Sequence, residues 1–211
     1  MTKMNAAGCG KEPAAGLSLL VFADLHYVSD EDCMLIDNLP PCDIVLMLGD
    51  ISRQTSERIC RSADKNRIRV LYVLGNHDDR GQLDSIPNAV NVDGRVMDVC
   101  CMRFGGAAGG PRYKRGTQVM RTQEEMDALL DTLPPCGILL THDGPYHLFR
   151  DDVPHEGFRG IDRYLKKKQP SLLLYGHQHV FDIREIYGTK TACIYRCAMV
   201  RTEPFSVTKL L

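Results

Sequence analysis

The chain has 211 residues, 44% of them hydrophobic and 25% charged, with a formal net charge of −1. That length suits one domain with a sizeable core, and the proportions are ordinary for a globular protein. The charge balance argues against a strong field for nucleic acid or a membrane surface, although local clusters could still bind anions. Nine cysteines are scattered without a C-x-x-C pair, mostly in or near apolar runs. An odd, scattered set of that kind is not a disulfide framework, and reduced thiols in a cytoplasmic protein are expected. No apolar run reaches ~18 residues, so no membrane span is expected. Met1–Ala15 reads as a flexible arm ahead of a single domain over 16–211.

Taken in order, Leu17–Phe22 is a first strand, apolar enough for burial on both faces, and it ends in Asp24-Leu25-His26. Ser29–Leu39 fits a short helix stopped by Pro40 and Pro41. Asp43–Leu48 is a second apolar run, ending in Gly49-Asp50, and Arg53–Asn66 reads as a surface helix. Val70–Leu74 is a third strand, ending in Gly75-Asn76-His77-Asp78-Asp79. The order is βαβαβ, which predicts right-handed crossovers and a parallel sheet.

Asn88–Val92 and Arg95–Phe104, joined by Asp93-Gly94, predict a hairpin with a tight turn. Gly105–Pro111 reads as a glycine-rich loop, either a phosphate cradle or a connector, and it lacks the P-loop pattern. Arg112-Tyr113-Lys114-Arg115 follows, a charge run that would contact a substrate phosphate or face solvent. Thr122 with Glu125 predicts a capping box opening a helix to about Leu133. Gly137–Leu140 ends in Thr141-His142-Asp143. Phe158–Lys168 is a helix with cations in its last turn, and Ser171–Tyr175 ends in Gly176-His177-Gln178-His179. Phe181–Tyr187, Thr191–Met199 and Phe205–Leu211 predict an antiparallel meander finishing a second sheet. Within it Cys193 and Cys197 would share one face.

Five apolar runs thus end in metal-competent groups, and five of the seven histidines belong to these ends. Ligands of open α/β sheets bind beyond the carboxyl ends of the strands, so the five clusters are brought to one rim. With His77 held back, the donors are two carboxylates, four imidazoles and one amide, too many for one tetrahedral ion and right for two. An oxygen and nitrogen set without thiolate suits Mn, Fe, Zn, Ni or Co.

Asp24-x-His26, Gly49-Asp50, Gly75-Asn76-His77-Asp78, His142 and Gly176-His177-x-His179 resemble, in order and spacing, the motif set of the calcineurin-like metallophosphoesterase superfamily. The middle stretch, the glycine-rich segment and Arg112-Tyr113-Lys114 followed by His142 and His155-x-Gly157-Phe158, looks like that of its small stand-alone bacterial and phage members. The resemblance spans roughly Leu17 to His179. It implies a four-layer αββα sandwich with two central mixed sheets flanked by helices. It also implies two divalent metal ions. Asp24, His26, Asp50 and His179 would hold one, and Asp50, Asn76, His142 and His177 the other, with Asp50 bridging. His77 would serve as a proton donor rather than a ligand, with Asp78 orienting it, and Arg112 and His155 are candidate substrate contacts. Arg53, three residues after Asp50, and Ala23, before Asp24, depart from the common pattern but lie outside the ligand set.

The implied activity is metal-dependent phosphoester hydrolysis by a metal-bound hydroxide, without a covalent enzyme intermediate. A phosphodiesterase is favoured because no large cap domain is evident. The alternatives are a protein or nucleotide phosphomonoesterase, a nuclease, and a metal-binding scaffold without activity. The near-neutral charge counts against a dedicated nuclease, which needs several phosphate contacts. A small molecule or nucleotide is the expected substrate.

Overall fold

The computed structural model describes residues 16–116, 118–149 and 152–211; the arm expected at Met1–Ala15 lies outside them. The first half contains β1 (Ser18–Ala23), α1 (Asp30–Asp37), β2 (Ile44–Met47), α2 (Arg53–Lys65), β3 (Arg69–Tyr72) and β4 (Ala89–Asn91). The middle contains β5 (Val96–Val99), β6 (Met102–Ala107), β7 (Gly110–Pro111), β8 (Met120–Arg121), α3 (Gln123–Thr132) and β9 (Ile138–Thr141). A 3-10 turn (Val153–His155) precedes α4 (Arg159–Lys168) and β10 (Leu172–Tyr175). The chain then runs through β11 (Asp182–Ile186), β12 (Thr189–Cys193), β13 (Arg196–Thr202) and β14 (Phe205–Lys209).

Two six-stranded mixed sheets result, ordered β14-β13-β1-β2-β3-β4 and β11-β12-β10-β9-β6-β5. β1, β2 and β3 pair in parallel, as the βαβαβ order requires, and β6, β9, β10 and β12 form the parallel part of the second sheet. The sheets face each other across the main core. Alternation shows this directly: Ile138 and Leu140 of β9, and Leu172 and Leu174 of β10, join the inter-sheet cluster, whereas Leu139, Leu173 and Tyr175 face the α3/α4 side. α1 and α2 cover the first sheet, giving the αββα layering. Both α1 and α3 open with reciprocal capping boxes, Ser29 with Asp32 and Thr122 with Glu125.

Three expectations are corrected. Asp93-Gly94 is not a hairpin turn: β4 pairs with β3 in the first sheet, whereas β5 pairs with β6 in the second. The real hairpin turns at Cys100-Cys101, both left-handed, with φ of 49° and 60°. Gly105–Pro111 is not a loop either. Gly105, Gly106 and Ala107 end β6, and Gly110–Pro111 is β7. Its glycines allow close packing rather than phosphate cradling, since a β-carbon on Gly106 would stand 2.6 Å from Val92 Cγ2. The third correction concerns Thr191–Met199, which breaks at Ile194-Tyr195 as the chain crosses between sheets. Cys193 therefore packs on the α3/α4 side and Cys197 in the inter-sheet core. All eight described cysteines are free thiols.

Candidate metal centre

The parallel strands of both sheets deliver their carboxyl ends to one edge. Asp24, Asp50, His177 and His179 all occupy the left-handed region there, with φ between 53° and 66°. Each such turn costs on the order of 1–3 kcal/mol for a residue other than glycine, and this cost concentrates where side chains converge. Glycines permit the convergence. A β-carbon on Gly75 would overlap Asp50 Oδ1, and one on Gly176 would stand 2.7 Å from Asp24 Oδ2.

Each carboxylate is anchored through one oxygen and open through the other. Asp24 Oδ2 accepts the His177 N–H at 2.8 Å, crossing between the sheets, while Asp24 Oδ1 is buried without a hydrogen-bond partner. Asp50 Oδ1 accepts the His77 N–H at 2.8 Å, which leaves Asp50 Oδ2 facing His142 Nε2 at 3.5 Å and His26 Nε2 at 3.9 Å.

Backbone carbonyls fix the imidazoles in the same way. A carbonyl only accepts, so His142 Nδ1–H donates to Leu48 O (2.8 Å) and His177 Nε2–H donates to Pro154 O (2.7 Å). The opposite nitrogens, His142 Nε2 and His177 Nδ1, are thereby turned toward each other at 3.1 Å, and Asn76 Oδ1 lies 2.9 Å from His142 Nε2. Fixing a ligand histidine through its far nitrogen is a standard feature of metal sites. On the other side His26 Nε2 and His179 Nε2 stand 3.4 Å apart, with Asp24 Oδ1 3.8 Å from His179 Nε2.

Two triads therefore have ligand atoms within 4.8 Å of one another: Asp24, His26 and His179; and Asp50, His142 and His177. Atoms held about 2.1 Å from a common ion stand roughly 3–4 Å apart, so these donor sets fit divalent cations. The electrostatics agree. Burial pushes Asp24 up to about 7, with Asp50 adding to the rise and His142 opposing it. Burial and the neighbouring His142 push His177 down to about 3, so its Nδ1 carries a lone pair. At His142, burial lowers the pKa but the Asp50 carboxylate outweighs it and the net shift is upward; at Asp50, burial is likewise outweighed by His142. A buried orphan oxygen and converging lone pairs are costly unless positive charge sits among them.

His77 is exposed, and its ring stands edge-on to His26 with centroids 5.5 Å apart. Asp78 does not orient it. The Asp78 carboxylate is buried and accepts the backbone N–H groups of Gly75 (2.8 Å), Asp50 (2.9 Å) and Ile51 (3.2 Å), tying the ends of β2 and β3 together. His155 lies at the rim, stacked on His177 with centroids 4.9 Å apart. Arg112 is turned away: it pairs with Glu125 at 2.7 Å and lines a neighbouring cavity. The cavity over the centre is about 240 Å³ and is lined by His26, His77, His155, His179 and Tyr113 among others. Tyr113 was missed in the sequence because its neighbours' charges drew the reading. A larger cavity of about 470 Å³ meets this one at His26, between α1 and α2.

The solved structures that resemble this chain share its fold. TT1561 of Thermus thermophilus aligns at TM-score 0.64 and 12% identity, covering 92% of this chain and 99% of that one. The phosphopantetheinyl hydrolase PptH of Mycobacterium tuberculosis aligns at 0.58 and 15%, covering 86% and 90%. A structure described as a novel archaeal phosphodiesterase aligns at 0.53 and 12%, covering 92% and 99%. No curated protein sequence matches significantly. Over residues 17–181 the sequence matches the family model of the calcineurin-like phosphoesterases, and the chain belongs to that family of metal-dependent hydrolases acting on phosphoester bonds.

Proposed function

We propose that the rim holds two divalent cations and hydrolyses phosphodiesters. The observation that carries this reading is the position of Asp50 Oδ2, which faces His142 on one side and His26 on the other. In the proposed arrangement Asp24, His26, Asp50 and His179 hold one cation. Asp50, Asn76, His142 and His177 hold the second, with Asp50 shared. Bound there, such a pair clamps phosphoryl oxygens and brings the pKa of water toward neutrality.

The chain's own residues do the rest. Leu48 O and Pro154 O lock the imidazole tautomers so that the donor nitrogens need no reorganisation. The buried Asp50 keeps the negative charge that would draw cations in, and a cation beside Asp24 would hold that carboxylate ionised against the effect of burial. His77, exposed at the rim beside His26, holds the proton destined for the leaving oxygen. In the balanced reaction, the water oxygen joins phosphorus and the bond from phosphorus to the leaving oxygen breaks. That oxygen takes the His77 proton, and a proton from the attacking water restores the balance. Two cavities meeting at His26 leave room for an organic group on each side of the phosphorus, which favours a diester.

The test is to strip the protein of metal, reload it with Mn²⁺, Zn²⁺ or Mg²⁺, and assay chromogenic mono- and diesters. Diesters should be hydrolysed faster, and Asp50→Asn should lose both metal and activity. Activity confined to monoesters would overturn the diester reading; no hydrolysis with any metal would overturn the reading of the centre.

A further inference from the structure

A third cavity, about 290 Å³, lies beside the metal rim and is lined by Arg80, Arg112, Lys114 and Arg115. Its cations come from two separate segments. Arg80 lies three residues beyond His77, and the other three follow β7, which packs against the rim: a β-carbon on Gly110 would stand 3.3 Å from Asn76 Oδ1. Tyr113, between Arg112 and Lys114, lines the metal cavity, and Lys114 Nζ stands 5.0 Å from its ring centroid. Arg112 is shared with Glu125, whereas among the described residues no carboxylate pairs with Arg80, Lys114 or Arg115. Three uncompensated cations are thus gathered around one cavity in a chain whose net charge is −1.

We propose that this cavity is a subsite for a second phosphate of the substrate, so that the enzyme prefers small nucleotide-sized diesters bearing a further phosphate group. The inference rests on the reading of the rim as a phosphodiester-hydrolysing centre. Two guanidinium forks and an ammonium suit phosphate oxygens, to which Arg can bond in bidentate fashion. The limited volume and the three free cations fit one or two phosphates rather than a long polyanion, which needs many contacts for tight binding. Tyr113 lines the metal cavity while its neighbours Arg112 and Lys114 line the basic one, so the body of the substrate would cross beside its ring.

The test compares thymidine 5′-(p-nitrophenyl phosphate) with the same ester carrying a 3′-phosphate, in the metal-loaded protein. Wild-type kcat/KM should favour the 3′-phosphorylated ester by roughly 10-fold, the effect of one or two charge-assisted hydrogen bonds. In Arg80→Ser/Lys114→Ser/Arg115→Ser that ratio should fall to about 1. A melting curve verifies that the variant folds, and the single variants Lys114→Ser and Arg115→Ser replace it if it does not. Independently of activity, calorimetry on metal-free protein should show thymidine 3′,5′-bisphosphate binding more tightly than thymidine 5′-phosphate, with the difference lost in the variant. A wild-type ratio near 1 in both measurements, or a preference that survives the substitutions, would overturn the inference. Hydrolysis of the plain ester with no phosphate preference in either measurement sinks this subsite alone. No hydrolysis of either ester sinks the reading of the centre, and the binding comparison then decides the subsite.

Discussion

At the residue scale the centre is built by division of labour within each side chain. Asp24 and Asp50 each give one oxygen to a backbone N–H and keep one for the site, and His142 and His177 each give one nitrogen to a carbonyl. Gly75→Ala should therefore act through Asp50, since the added methyl would take the place of Asp50 Oδ1 and break its bond to His77 N–H. Activity should fall about 100-fold or more with a stability loss of roughly 1–3 kcal/mol, read by kinetics and denaturant melts. His77→Ala should keep its metal, as measured by metal analysis. It should lose about 10²–10⁴ in kcat for alkyl leaving groups and much less for p-nitrophenyl, which needs little proton assistance. Equal losses on both leaving groups would argue against proton donation. The proposed ligand positions were legible in the sequence because each follows an apolar run at a predicted strand end. The true partners of Asp78 were not, because backbone amides carry no sequence label.

At the element scale, local signals served well where they were strong and misled where a stronger decoy stood nearby. The capping boxes of α1 and α3 were written in side chains, and the Thr122/Glu125 box was read directly. Asp93-Gly94 looked like a turn, but the real one, Cys100-Cys101, uses residues with no preference for positive φ. Cys101→Gly should relieve that strain, raising stability by about 0.5–1 kcal/mol and the melting temperature by about 1–4 °C. The break at Ile194-Tyr195 was invisible for a related reason: strand-forming residues continue straight through the crossing between sheets.

The cap of α1 also carries a pH dependence. Burial alone would raise Asp32, but its bonds to Ser29 and to Arg196 of β13 outweigh burial and hold it below the ordinary carboxylate value. A folded pKa below the unfolded one contributes stability above the unfolded value, and that contribution is lost as pH falls through the folded value. Asp32→Asn should thus cost about 1–3 kcal/mol at pH 7, and the gap to wild type should begin to close only below about pH 4, as followed by denaturant melts.

At the scale of the whole molecule, two sheets with a shared core exist to bring five strand ends to one edge. Burial of the parallel strands on both faces was legible in their near-continuous apolar runs, whereas the four-layer order was implied by the motif resemblance. The basic cavity did not, because Arg80 joins the Arg112–Arg115 run only through tertiary packing. The central claim is a two-cation centre shared through Asp50, and metal stoichiometry after equilibrium dialysis against Mn²⁺ or Zn²⁺ tests it most directly. Wild type should retain two ions per chain, Asp24→Asn one, and Asp50→Asn neither with comparable affinity. One ion per wild-type chain, or two retained by Asp50→Asn, would contradict the account.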